Sequence, residues 1–200
     1  MNYVELSAKD VKERCRTLSE QVSASGFRPD LVIFIAKGAF QIGKIMSDNL
    51  SCPLAEISCK RSGGKLKEKL SPVLKLIPGR VRGFIREKEM NKRNKKSNSE
   101  RCTEYNVKQW SAYDNAERVL IVDDSIDSGS SMRAAVDAAS EFFQKAEIRT
   151  AVLNVFDGSE AIIKADYHLT DNMLISGPWS NDSKEHKKFL SQYRRWKESQ

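Results

Sequence analysis

Residues 119–131 read VLIVDDSIDSGSS and hold the side chains of this chain best suited to chemistry. Asp123 and Asp124 are adjacent carboxylates. Such a pair repels itself unless it holds a cation, hydroxyl donors or a shared proton. Asp127, Ser128, Gly129, Ser130 and Ser131 follow at once. Their hydroxyls, a glycine that permits close backbone approach and the free N–H groups of a starting helix make a seat for phosphate. A phosphorylated sugar answers both halves, with phosphate in the turn, hydroxyls on the carboxylates and Mg²⁺ beside Asp123 and Asp124.

The elements that must position these groups are legible around them. Val119 to Val122 form an unbroken apolar run, suited to a short strand buried on both faces. In MRAAVDAASEFFQK, Met132, Val136, Ala139 and Phe143 recur at helical spacing and define one apolar face. A similar unit lies upstream. Leu31–Ala36 (LVIFIA) reads as a buried strand, Lys37-Gly38-Ala39 as a small-residue loop, and Phe40, Ile42, Gly43 and Met46 as the start of a helix. That loop is a second candidate anion cradle.

Further strands are expected over 54–59, over 148–155, from Asp166 and over 173–179. A helix over 7–25 is expected, with Ser7 as N-cap and Gly26 as its stop. A last, basic surface helix carries Phe189, Tyr193 and Trp196 on or near one face. His168 and His186 stand alone and read as core or surface residues. The whole describes an α/β fold with a central parallel sheet flanked by helices.

Position by position, residues 119–131 resemble the phosphoribosyl-pyrophosphate (PRPP) signature of the type I phosphoribosyltransferases: four apolar residues, two acids, two variable residues, then a small hydroxylated turn with glycine. In pattern the chain is most similar to the xanthine-guanine and hypoxanthine types. The resemblance implies transfer of the 5-phosphoribosyl group from PRPP to a nitrogenous base, purine-like by preference, with release of pyrophosphate. It implies that Asp123 and Asp124 hold the ribose hydroxyls, directly or through water on Mg²⁺, and that the 127–131 turn fixes the 5-phosphate. Ala36, Lys37 and Gly38 would offer backbone amides to pyrophosphate, with Ala39 where the family often has a second glycine. Asp127 would take the proton of the base; as a plain residue, it is also what a helix start attracts.

Asp166-Tyr167 followed by Pro178-Trp179 resembles the family's base-recognition end, which implies a C-terminal hood. Leu174 stands where a stacking aromatic is usual. Asn154, Asp157 and Gly158 lie where a basic residue would read a 6-oxo group. The sugar-phosphate half of the pattern is therefore complete, and the base half departs from it.

VLIVDDS is also similar to the opening strand of a receiver domain, but only 76 residues follow Asp124, against the roughly 100 or more a domain needs. An ordinary Rossmann-like strand–helix unit with an acidic tip is the plain structural alternative. A rival from another class is a non-catalytic PRPP-sensing regulator that binds nucleic acid. Residues 60–108 hold sixteen Lys and Arg against five Glu, within a chain of net charge +7. Such a segment suits either a flexible loop at an active site or phosphate backbones, and residues 91–101 are polar enough for disorder.

The expected organisation is a single domain over 1–200, a basic insertion over 60–108, and a hood with a basic tail over 166–200. Four cysteines without C-x-x-C spacing suit a reduced compartment. The opening MNYVELSAKD lacks the regions of a signal peptide, and no apolar run approaches the ~20 residues of a membrane helix. The expectation is a cytoplasmic protein whose partners are PRPP and a base-like acceptor, with no membrane. A homodimer is left open, and nucleic acid is the less favoured partner.

Overall fold

The computed structural model describes residues 2–61 and 101–200. Most of the 60–108 insertion, with the expected loop and the polar 91–101 stretch, lies outside the described residues.

Six strands form the main sheet: β2 (Leu31–Ala36), β3 (Leu54–Arg61), β4 (Arg101–Tyr105), β5 (Arg118–Ile126), β6 (Glu147–Val155) and β7 (Tyr167–Asp171). Their order is β4-β3-β2-β5-β6-β7, and only the β3–β4 pairing is antiparallel. The runs LVIFIA and VLIV are central and covered on both faces, which is why they are apolar without alternation. A separate two-stranded parallel sheet joins β1 (Asn2–Glu5) to β8 (Met173–Ser176), with Tyr3 in register with Leu174.

The helices cover both faces. Val32, Phe34, Leu120, Val122 and Leu153 pack against α1 (Ala8–Ala24) and α2 (Phe40–Leu50). Ile33, Ile35, Ile57, Ile121 and Val152 pack against α4 (Ser130–Phe142), through Met132, Ala135 and Ala139. The first helix begins at its expected cap: Ser7 Oγ accepts from the Asp10 amide, and Asp10 accepts from the Ser7 amide at 2.8 Å. Gly26, just beyond its end, has φ +82°.

Between β4 and β5, the short helix α3 (Val107–Ser111) has a specific task. Pairing of β4 with β3 begins only at Ile57. Beside it, Gln109 Oε1 accepts from the Glu56 amide, and the buried Trp110 indole donates to the Glu56 carbonyl at 3.1 Å. The helix thus satisfies backbone groups that β4 leaves open.

The C-terminal helix α5 (His186–Glu198) is amphipathic as expected, but its aromatic face is part of the core. Phe34 lies edge-on to Trp196 at 5.0 Å and to Phe40 at 5.6 Å, and Tyr193 lies 5.3 Å from Phe40.

Close approach of α2 to β2 depends on Gly43, where an added Cβ would lie 2.7 Å from Phe34 Cβ and 3.2 Å from Leu54. Gly43→Ala should therefore destabilise the fold by about 1–3 kcal/mol despite the better helix propensity of alanine. Urea denaturation checks this, and unchanged or increased stability would contradict the packing.

Candidate active site

The chain runs from β2 to β3 and β4 in one direction, then from β5 to β6 and β7 in the other. The reversal lies between β2 and β5, where a crevice opens at the carboxyl ends of parallel strands. The loop after β2 and the acidic tip of β5 are the two lips of that crevice. Gly38 stands near Asp124, its built Cβ position 3.9 Å from the carboxylate oxygen and 3.8 Å from the Trp179 ring. Ala36, Lys37 and Gly38 are thereby brought to the Asp123–Asp124 pair, and the Ala36–Lys37 peptide is cis. The Lys37 side chain is exposed.

Each acid accepts a hydrogen bond from the next amide: Asp123 from Asp124 N and Asp124 from Ser125 N, both at 2.9 Å. Burial of its carboxyl, then the charges of Asp124 and Asp127, hold Asp123 well above the usual carboxylate range. Burial also raises Asp124, while hydrogen bonds from Ser125 N and the Trp179 side chain act the other way. The Trp179 contact closes the site from a distant part of the chain. It requires the turn at Gly177, where a Cβ would collide with the Trp179 ring.

Beyond the acids, Ile126 is buried and the chain turns through Asp127 to Gly129 into α4. Gly129 has φ +81° and caps the helix. A side chain there would meet Ile162, Ile163 and the Ser159 carbonyl at 3.1 Å, so both its dihedral and its surroundings call for glycine. Ser128 and Ser130 share a hydroxyl–hydroxyl bond of 3.1 Å, and the Ser131 carbonyl accepts from Cys59. The first amides of α4 have no partner within the helix and carry the positive end of its dipole. The structure therefore assembles Asp123, Asp124, Asp127, Ser128, Gly129, Ser130 and Ser131 beside the 36–38 loop. The arrangement can hold an anion in the turn and a cation or hydroxyls on the acids.

Leu174 stands apart from this group, buried in β8 against Phe156, with Tyr3 packed on them. Asn154, in register with Ser125, is fully buried; its Oδ1 accepts from Met173 N and Thr170 Oγ1. Asp157 is exposed and its amide donates to Asn172. Sequence reasoning passed over Trp179 as a neighbour of the acids; only its pairing with Pro178 hinted at a fixed position. His168 pairs with Asp171 at 3.1 Å and His186 meets the Pro178 carbonyl.

Among the described residues, no cluster of three or more His, Cys, Asp and Glu side chains could hold a metal alone, and no helix is long and apolar enough to cross a membrane.

A family model described as phosphoribosyl transferase domain matches residues 5–184. No curated protein matches the sequence. Solved structures share the fold at low identity. A purine phosphoribosyltransferase from Pyrococcus horikoshii is 19% identical, with a TM-score of 0.60 over 90% of this chain and 95% of its own. The Helicobacter pylori xanthine-guanine-hypoxanthine phosphoribosyltransferase is 15% identical, with a TM-score of 0.64 over 95% and 99%. A hypothetical protein from Neisseria gonorrhoeae with bound ppGpp is 14% identical, with a TM-score of 0.61 over 97% of both chains.

The raised carboxyls have a consequence for stability. Native Asp123 and Asp124 hold protons more tightly than the unfolded chain does, so they reduce stability as pH rises above about 4, the ordinary carboxylate range. Asp123→Asn with Asp124→Asn should therefore raise the melting temperature of the ligand-free protein at pH 7, and the gain should fade towards pH 4. Thermal melts across that interval check it; a double variant less stable at pH 7 would contradict the assignment.

Proposed function

Because the chain belongs to the phosphoribosyl transferase domain family, a family of phosphoribosyltransferase enzymes, we propose that it transfers the 5-phosphoribosyl group of PRPP to a purine-like base and releases pyrophosphate. The observation that carries this reading is the pair of raised carboxyls, Asp123 and Asp124, set between the 36–38 loop and the serine-glycine turn at the start of α4.

In this reading the ribose hydroxyls donate to Asp123 and Asp124, and the 5-phosphate sits on the amides and hydroxyls of residues 128–131. Ala36, Lys37 and Gly38 face the pyrophosphate, with the Lys37 ammonium adding charge. Two hard oxygen donors whose repulsion a dication relieves are a fitting donor set for Mg²⁺, with substrate oxygens completing its shell. Bound there, Mg²⁺ would neutralise charge on the departing pyrophosphate. A ring nitrogen of the base forms the new bond to C1 as the C1–O bond to pyrophosphate breaks, and the base proton passes to Asp127. Most of the catalysis is positioning and charge placement, since the oxocarbenium-like transition state needs little covalent help. The apolar group of Leu174, Phe156 and Tyr3 at the end of β6 would form a wall of the base site.

Purified protein with PRPP, Mg²⁺ and a panel of purine and pyrimidine bases tests the reading through pyrophosphate release. Turnover with at least one purine is expected. Binding of PRPP without turnover on any base would overturn it in favour of a PRPP-sensing regulator.

Asp127→Asn should lower kcat by ~10²-fold or more while leaving PRPP affinity largely intact. Equal loss of both, measured by steady-state kinetics and calorimetry, would instead make Asp127 a helix-start residue.

A further inference from the structure

Glu56 is an unusual residue to find in a central position of β3. It is 9% exposed, on the face of the sheet that α5 covers. Its carboxylate Oε1 accepts from the Tyr193 hydroxyl at 3.0 Å and from Lys197 Nζ at 3.1 Å. Its amide and carbonyl are satisfied by Gln109 and Trp110. Oε2 is buried and finds no partner among the described residues. A buried carboxylate oxygen left unpaired is costly, and a group in that position calls for a donor.

That carboxylate lines a cavity of about 640 Å³ between α5 and the β3 edge, within the size range of small-molecule sites. Its walls carry the rings of Tyr105, Tyr193 and Trp196 and the ammonium groups of Lys37 and Lys197. The two lysines disfavour a cationic guest, and Glu56 disfavours an anionic one beside Oε2. A neutral, planar molecule suits the walls, with its faces against aromatic rings and an N–H or amino edge towards Oε2.

We propose that this cavity is a second ligand site for a neutral nitrogen heterocycle bearing N–H or amino donors, of the kind a purine nucleoside presents. It is separate from the Asp123–Asp124 pair, and the inference does not depend on the reaction proposed above. Lys37 lines the cavity and also belongs to the 36–38 loop, so occupation of the cavity bears directly on one lip of the crevice.

Three tryptophans act as local reporters: Trp196 at the cavity, Trp110 on the Glu56 carbonyl and Trp179 at Asp124. Guanosine and adenosine, titrated into the ¹⁵N-labelled full chain without PRPP, should shift the Trp196 indole resonance. At least one should give intermolecular NOEs to Tyr193 and Trp196. Glu56→Gln, which replaces the charged acceptor with an amide, should weaken binding about tenfold or more. NOEs in the wild type keep the test valid if that variant does not fold. Ligand signals confined to Trp179, no binding by either nucleoside, or equal binding by a folded Glu56→Gln protein would overturn the proposal. Loss of transferase activity, by contrast, would leave these resonances unmoved.

Discussion

Two carboxylates forced together at the end of a buried strand are the constraint around which the structure is arranged. Asp123 and Asp124 are held there by the register of β5 between β2 and β6, and neither can move away without breaking those ladders. Their charges repel, and burial makes the repulsion more costly. The surroundings ease this only in part, through Ser125 N, Asp124 N and Trp179. An empty site of this kind is held by the rest of the fold against its own preference. Such residual strain is common at functional sites, where a ligand supplies the missing compensation.

The stability that tolerates this pair comes from layers on both faces of the sheet and from the aromatic group joining Phe34, Phe40, Tyr193 and Trp196. That group ties the last helix to the base of the strand leading into the 36–38 loop. One consequence is geometric. The helix furthest along the chain and the first lip of the crevice share one packed unit, and Glu56 lies on its border with Lys197 and Tyr193.

The elements most legible in the sequence were those whose burial shows in an unbroken apolar run. β2, β5 and β6 are of that kind, and the stripes of α1 and α4 are equally direct. β1 was not legible, because four residues reading NYVE gain their order from pairing with β8 some 170 positions later. β4 and α3 lie in a stretch dominated by lysine and arginine, and their roles depend on the open edge of β3. The aromatic stripe of α5 was visible, but its partner Phe34 was not, since local periodicity says nothing of what covers a face. At the site, the acids and the turn were legible because adjacent residues form them. The Trp179 contact was not, because it needs the chain to fold back at Gly177.

What the fold positions is an acidic pair that a polyhydroxylated, phosphorylated sugar would relieve, alongside a divalent cation. Isothermal calorimetry of PRPP with Mg²⁺ tests that claim most directly, comparing the wild type with the folded Asp123→Asn, Asp124→Asn protein. Measurable binding by the wild type and none by the double variant is the expected result. Equal affinity in both would show that PRPP does not use the carboxylates, and would contradict the account at its centre.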